Sequence, residues 1–518
     1  MLRCWAASLV ALGLASAVQA QELRLGVKLP LTTMDPHFYA TFATASAHAA
    51  IWERLVELDE HGQPVPRLAE SWRIVDPLTW EFTLRRGVRF HDGSLFTSQD
   101  VVWSFDRVFR IPRSPSSFSR YIAGVKVVPV DDTTLRLVTD VPKPLLLFDL
   151  PYVMIGSWRT PAEATTDDFN AGRHVNGTGP YRFAGWSPNE HLTLERHDGY
   201  WGGKADWARV EERTIADDGA RTAALLAGDV QAINALPPTG VESLRGRPDI
   251  AIVAVPSTTT MVLVLDLVRA ESPFVTAKDG SPLARNPLTD VRVRRALSLA
   301  IPREAIAERV MVGTAVPAAQ LIAPGLHGAS ADLRPEPIDI GRAGALLREA
   351  GWGEGFRITL HVDANGFLRD PAVAQAIAQV WSRLGLAVEV QNLPTPVYLA
   401  RSGRQELSAI LAAQGGITAN VPLRSLLATW DERRGNGMTN RMRYSNPIFD
   451  AALERAMAAM DARARLAAFD EANRLVAAEL PVIPVFHAAN VSAVRRGVRL
   501  TLWPDRRFNA LMMSPTPP

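Results

Sequence analysis

The sequence predicts an α/β fold divided between at least two lobes. Three observations carry this reading. The chain has 518 residues, and a single hydrophobic core stops growing at about 250–300 residues. Hydrophobic residues make up 47% and charged residues 21%, a globular balance that excludes wholesale disorder. The second half alternates helix-like and strand-like segments, the pattern of a sheet layered between helices.

The elements follow in chain order. Glu22–Val27 alternates and reads as a strand. A helix is expected over about Ala43–Leu55. Trp80–Leu84 alternates with period two, Arg85-Arg86-Gly87 turns, and Val88–Phe90 is expected to resume as strand. After the turn His91-Asp92-Gly93, Thr97 is placed to cap a helix with Val101, Val102, Phe105 and Val108 on one face. Strands are expected at Val125–Val130 and Thr134–Val138, and again at Tyr181–Phe183 and Leu192–Glu195 after the breaker-rich Gly177–Tyr181. Ala220–Leu226 is helical and ends near Gly228, and the apolar run Met261–Leu267 reads as a buried strand.

Further on, Asp290 caps a helix through Ile301, and Pro302 opens another. Asp339–Ala350 and Asp370–Leu384 are helices stopped by Gly351 and Gly385. Phe356–Val362, Ala387–Val390 and Leu407–Leu411 are strands. Asn446-Pro447 opens a helix to about Met460, and Ala462–Leu480 forms the next.

Residues 1–20 read as an export leader. Arg3 is its only charge, an apolar run follows, and Val18-Gln19-Ala20 ends in small residues, so cleavage is expected after Ala20. The apolar run is shorter than the ~20 residues that span a bilayer. The single cysteine, Cys4, lies in this leader, so the mature chain is expected to carry no thiol, and no Cys-rich metal site is available.

Several chemistries lack their signatures. Lys and Arg number 56 against 54 Asp and Glu, a balance with no footprint for nucleic acid. The ten histidines include no His-Glu-x-x-His spacing, and neither a Gly-x-Ser-x-Gly elbow nor a phosphate-binding Gly-x-x-x-x-Gly-Lys loop occurs. A non-enzymatic protein is therefore expected, without metal or cofactor.

Residues 66–108 carry a recognisable pattern: Pro66-Arg67-Leu68-Ala69-Glu70-Ser71-Trp72, Thr79-Trp80-Glu81-Phe82, Leu84 through Gly93, Thr97 and Asp100-Val101. It is joined in order by Asn176–Tyr181, Tyr200-Trp201-Gly202-Gly203-Lys204, Ala224–Val230, Asp290–Ile306 and Tyr444–Asp450. This ordered set resembles the family 5 extracellular solute-binding proteins, the peptide, oligopeptide and nickel receptors of ABC importers. Most of these residues read as structural: Trp72 and Trp80 as core aromatics, Arg294 and Arg295 as a solvated helix face.

The resemblance implies a type II periplasmic-binding-protein-like fold. Lobe one would take residues 21–265 plus 488–518, with an extra subdomain at about 61–177, and lobe two would take 266–487. It implies a periplasmic receptor that closes on a small solute, foremost a short peptide, and delivers it to inner-membrane permease subunits with cytoplasmic ATPases. A monomer is expected. The family's peptide receptors commonly place an aspartate after the strand equivalent to Leu407–Leu411, to pair with the peptide's amino terminus. Here residues 412–420 contain none. Either another acid supplies the charge or the solute is not a peptide with a free amine, which leaves an acidic small molecule, a metal chelate or haem as the alternative, and a secreted hydrolase as the reading from a different class. Arg369 falls where some relatives bind a carboxylate, and a bidentate guanidinium suits that group. Gln414, Asn420, Trp430, Asn440, Arg441 and Arg443 complete the expected ligand contacts.

Overall fold

Residues 22–366 and 368–516 are described in the computed structural model, and the expected leader with Arg3, Cys4 and the Ala20 cleavage point lies outside them. The run Met261–Leu265 is buried at every position because its sheet is covered on both faces. Met261, Leu263 and Leu265 face one core with Leu297, Ile377 and Trp381. Val262 and Val264 face another with Phe449, Phe469 and Val476. A strand covered on both faces needs no polar alternation.

This strand belongs to a long one, Ile250–Leu265, paired antiparallel with Val482–Arg495. Together they form the centre of a 12-stranded sheet. On one side of the pair lie Ala232–Ile233, Glu22–Val27, Arg209–Thr214, His191–Arg196 and Tyr181–Ser187. On the other lie Ala409–Gly415, Arg357–Asp363, Val275–Thr276 and Ala387–Leu393. The pairing of the two long strands slips between Pro256 and Thr260. The fold is a two-lobed mixed α/β architecture, with the two long strands at the centre of its main sheet.

A separate four-stranded sheet takes Ala69–Asp76, Thr79–Leu84, Thr134–Thr139 and Val125–Asp131 in that spatial order. Helix Ser98–Arg110 packs Val101, Phe105 and Val108 into its core with Trp80 and Phe82. Thr97 caps that helix in a capping box, its N–H donating to Asp100 Oδ2 at 2.7 Å.

Most expected elements stand within a few residues, including the caps at Asp290 and Asn446 and the left-handed Gly228 stop. Three expectations are corrected. The first helix ends at His48 rather than near Leu55, because the chain beyond it is used by a distant turn: Gly179 N–H donates to Ile51 O at 2.8 Å and Tyr181 N–H to Ala50 O at 3.0 Å. A Cβ on Gly177 would sit 2.0 Å from Ile51 O, so this docking requires glycine. Val88–Phe90 forms no strand; only an isolated Arg89–Leu95 bridge remains. Arg294 is buried rather than solvated, donating to the carbonyls of Glu479 and Leu480 at 3.0 and 3.1 Å and to those of Leu288 and Thr289 at 3.1 and 2.9 Å. With Arg295, which bonds Ala477 O, it caps the C-terminus of helix Ala462–Glu479, where orphan carbonyls and the helix dipole favour cations.

Candidate functional site

A cavity of about 670 Å³ opens beside the crossing of the two long strands. Its floor is the segment Ala488–Val491 of the second long strand. One wall comes from strands and loops of the first half of the chain, among them Lys28, Trp186, Glu212 and Asn234. The second half contributes Met311, Thr314, Asn365 and Leu368, and the C-terminal segment contributes Arg506 and Phe508. The volume lies within the range of small-molecule sites, and apolar walls with a few polar groups are their usual composition.

The polar groups are held by local structure. Asn234 Oδ1 accepts from the Lys28 N–H at 2.9 Å, which orients that amide. Lys28 Nζ pairs with Asp218 at 3.0 Å, and Asp218 also pairs with buried Arg221. These cations hold the Asp218 carboxyl below its ordinary value even though its partial burial acts to raise it. Arg506 donates to Thr259 Oγ1 at 2.7 Å, just where the long strands slip register. Desolvation lowers the Arg506 guanidinium from its usual value.

Glu212 differs from all of these. Its carboxyl finds no hydrogen-bond or salt-bridge partner among the described residues, and its Oε1 is closed off from solvent. Burial alone pushes it up to about 8, since desolvation disfavours the charged form. Its position had a sequence signal: in Arg209–Thr214 the buried Val210 and Glu212 share one parity, so a strand reading of this segment would have turned a glutamate inward.

The expected contact residues fall elsewhere. Trp430, Asn440, Arg441 and Arg443 come together around a recess of about 170 Å³ with Gln405 and Met438. Asn440 is spent on its own loop: its amide donates to Ala428 O and Tyr444 O and accepts from Tyr444 N–H. Arg443 donates to Gln405 Oε1 at 2.8 Å. Arg369, exposed beside the cavity-lining Leu368, donates to Val310 O at 2.7 Å. Gln414 lies in the sheet opposite Thr260, and Asn420 accepts from Thr418 in a tight turn. The two groups, recess and cavity, have no lining residue in common.

The motifs of residues 66–108 and 200–204 turn out to knit the extra sheet to its lobe. Buried Glu53 accepts from Arg67 at 2.7 Å, Tyr200 at 2.7 Å and Trp201 at 2.8 Å. Arg85 lies over the Trp201 ring at 4.5 Å, a cation–π contact. His91 Nε2 meets Gly179 O at 3.0 Å.

Residues 63–435 match the sequence profile described as bacterial extracellular solute-binding proteins, family 5 Middle. The glutathione-binding protein GsiB of Pectobacterium atrosepticum is 28% identical over 495 residues, covering 92% of this chain and 91% of that protein. The dipeptide-binding protein of Escherichia coli is 24% identical over 521 residues, covering 95% and 94%. Among solved structures, the periplasmic murein tripeptide-binding protein MppA in its unliganded open form superposes with a TM-score of 0.80 at 23% identity, covering 96% of this chain and 98% of that one.

Proposed function

This chain belongs to the family 5 bacterial extracellular solute-binding proteins, and from that premise we propose that its solute is a short peptide, held in the cavity beside the crossing strands. The receptor role for an ABC importer comes with the family. The peptide reading is supported by relatives named for glutathione and dipeptide binding that match over more than nine-tenths of the chain.

The observation that carries the reading is the cavity itself. Residues from both halves of the chain line it, so a solute held there gains contacts on both sides as the lobes close on it, and it thereby shifts the population toward a closed form. The slip between Pro256 and Thr260, opposite His487–Ala489, supports a hinge close to the proposed boundaries, with lobe one at 21–265 plus 488–518 and lobe two at 266–487. The protein acts as an exported monomer, cleaved after Ala20, that hands its solute to permease subunits driven by cytoplasmic ATPases. Among the described residues no helix is long and apolar enough to cross a membrane. It is a carrier and catalyses nothing.

Arg369, next in the chain to the cavity-lining Leu368, is the candidate to meet a solute carboxylate on closure. Trp430, Asn440, Arg441 and Arg443 frame the smaller recess, and Gln414 and Asn420 the strand end near it in sequence. One observation favours a second reading: the absence of aspartate from 412–420 suits a solute without a free amine, such as a metal chelate or haem. Native mass spectrometry of the purified protein, with identification of the released solute, decides between them. A peptide in stoichiometric amount is the expected result; a bound chelate or haem, or turnover of an added peptide, overturns it.

A further inference from the structure

We propose that Glu212 is the subsite that receives a cationic nitrogen of the solute, foremost a peptide's α-ammonium, from the lobe-one wall of the cavity. The proposal rests on reading this cavity as the solute site. Its ground is geometric. Glu212 is paired in register with Leu25 on one side and Leu192 on the other, and paired residues share a face of the sheet. That face carries buried Leu23, Leu25, Leu192, Leu194 and Val210, and its edge opens into the cavity through Val27, Leu192, Glu212 and Thr214. A carboxyl placed in this apolar row without a partner does nothing for packing. A buried ionised carboxylate costs several kcal/mol unless a counter-charge joins it, by the rough scale for buried ions.

Among the described residues no charge meets that need. Glu211 and Arg213 pair with each other at 2.9 Å, and alternation puts them on the opposite face. In the neighbouring strand Glu22 pairs with Arg209, and Arg24 bonds Gly228 O. On the helix Phe42–His48, His48 Nε2 is held by Thr33 O. Within the cavity Lys28 is engaged by Asp218, His191 lies at its edge, and Arg506 bonds Thr259. Asp218, the other acid lining the cavity, is already neutralised from two sides. An arriving ammonium finds its complement at Glu212. The carboxyl, held up at about 8 by burial, then gives its proton to solvent as the ion pair forms. Binding therefore strengthens as pH rises from 6 to 8, provided the solute's amine stays charged.

The test uses the mature protein, its Glu212→Gln and Glu212→Asp variants, and two probe sets: mixed di- to tetrapeptides with free amino termini, and the same peptides N-acetylated. Retention is read by native mass spectrometry at pH 6, 7 and 8, with thermal unfolding as the check on folding. The wild type is expected to retain free-amine peptides at least tenfold better than acetylated ones, and better at pH 8 than at pH 6. Glu212→Gln is expected to lose at least tenfold and to lose the pH dependence while remaining folded, and Glu212→Asp to retain part of the binding. Equal retention by Glu212→Gln, or equal retention of acetylated peptides by the wild type, overturns the role of Glu212 and leaves the receptor reading standing. Retention of neither set by the wild type overturns the peptide reading and the proposal with it.

Discussion

Glu212 stands in a row of side chains that is otherwise apolar, and the cost of that placement is measurable without any solute. Its carboxyl is raised from 4.5 to about 8 by burial. Between those values the unfolded chain has lost the proton and the folded chain keeps it. Folding then takes up a proton, so stability falls as pH rises through this window and levels off above it. Glu212→Gln removes the effect. The variant is expected to match the wild type near pH 4.5 and to exceed it at pH 8, by on the order of a few kcal/mol. Chemical denaturation across that pH range checks this; a constant difference at all pH values would show that Glu212 is not the titrating group. The residue was within reach of the sequence, because Val210 and Glu212 share one parity in Arg209–Thr214. The signal is weak because Arg-Val-Glu-Glu-Arg-Thr has a single strongly apolar residue, too few to mark a strand. The expected contacts Trp430, Asn440, Arg441 and Arg443 do meet in space, but their meeting place depends on loop geometry that periodicity does not encode.

At the scale of elements, the chain is readable where the signal is local. Asp290 and Asn446 accept from backbone N–H groups of the helices they open, as their positions predict, and Asp461 does the same for the last long helix. Elements are misjudged where a distant segment competes for the same backbone. The first helix stops at His48 because the carbonyls of Ala50 and Ile51 serve the Gly177–Tyr181 turn. Arg294 looks like a surface residue beside Arg292 and Arg295, yet it is buried against the end of another helix 185 residues away in the chain. Arg294→Ala leaves the carbonyls of Leu288, Thr289, Glu479 and Leu480 without this donor. The expected loss is about 2–4 kcal/mol, since each unsatisfied buried group costs about 1–3 kcal/mol and some recover water. Urea unfolding measures it, and a change below about 0.5 kcal/mol, the range of an ordinary surface substitution, would contradict the capping role.

For the whole molecule, the decisive feature is the pair of long strands at the centre of the sheet, whose register shifts at Pro256–Thr260 and again at Met261–Val262. Interlobe motion is expected over Pro256–Val262, where the pairing shifts register twice, since the segments beyond that stretch are held in regular ladders. Solution scattering should show a smaller radius of gyration when the released native solute is added back, together with a higher melting temperature. A rise in melting temperature with no compaction would retain binding and refute closure. The Ser257–Thr260 segment is buried at the junction, with Thr260 Oγ1 meeting Leu321 O at 3.0 Å and His487 Nδ1 at 2.8 Å. The Thr260 hydroxyl is thus satisfied within the fold, as buried polar groups generally are.

Length, alternation, caps and the ordered motifs were enough to establish a two-lobed α/β receptor of family 5, because each of these signals is complete within a few residues or accumulates along the chain. The cavity, its isolated acid and the burial of Arg294 were decided only by the tertiary structure. Their chemistry depends on which strands become neighbours and which carbonyls are left unpaired. Glu212 is an ordinary glutamate in the sequence; Leu25 and Leu192, brought beside it from 187 and 20 residues away along the chain, deprive it of water and turn it toward the cavity.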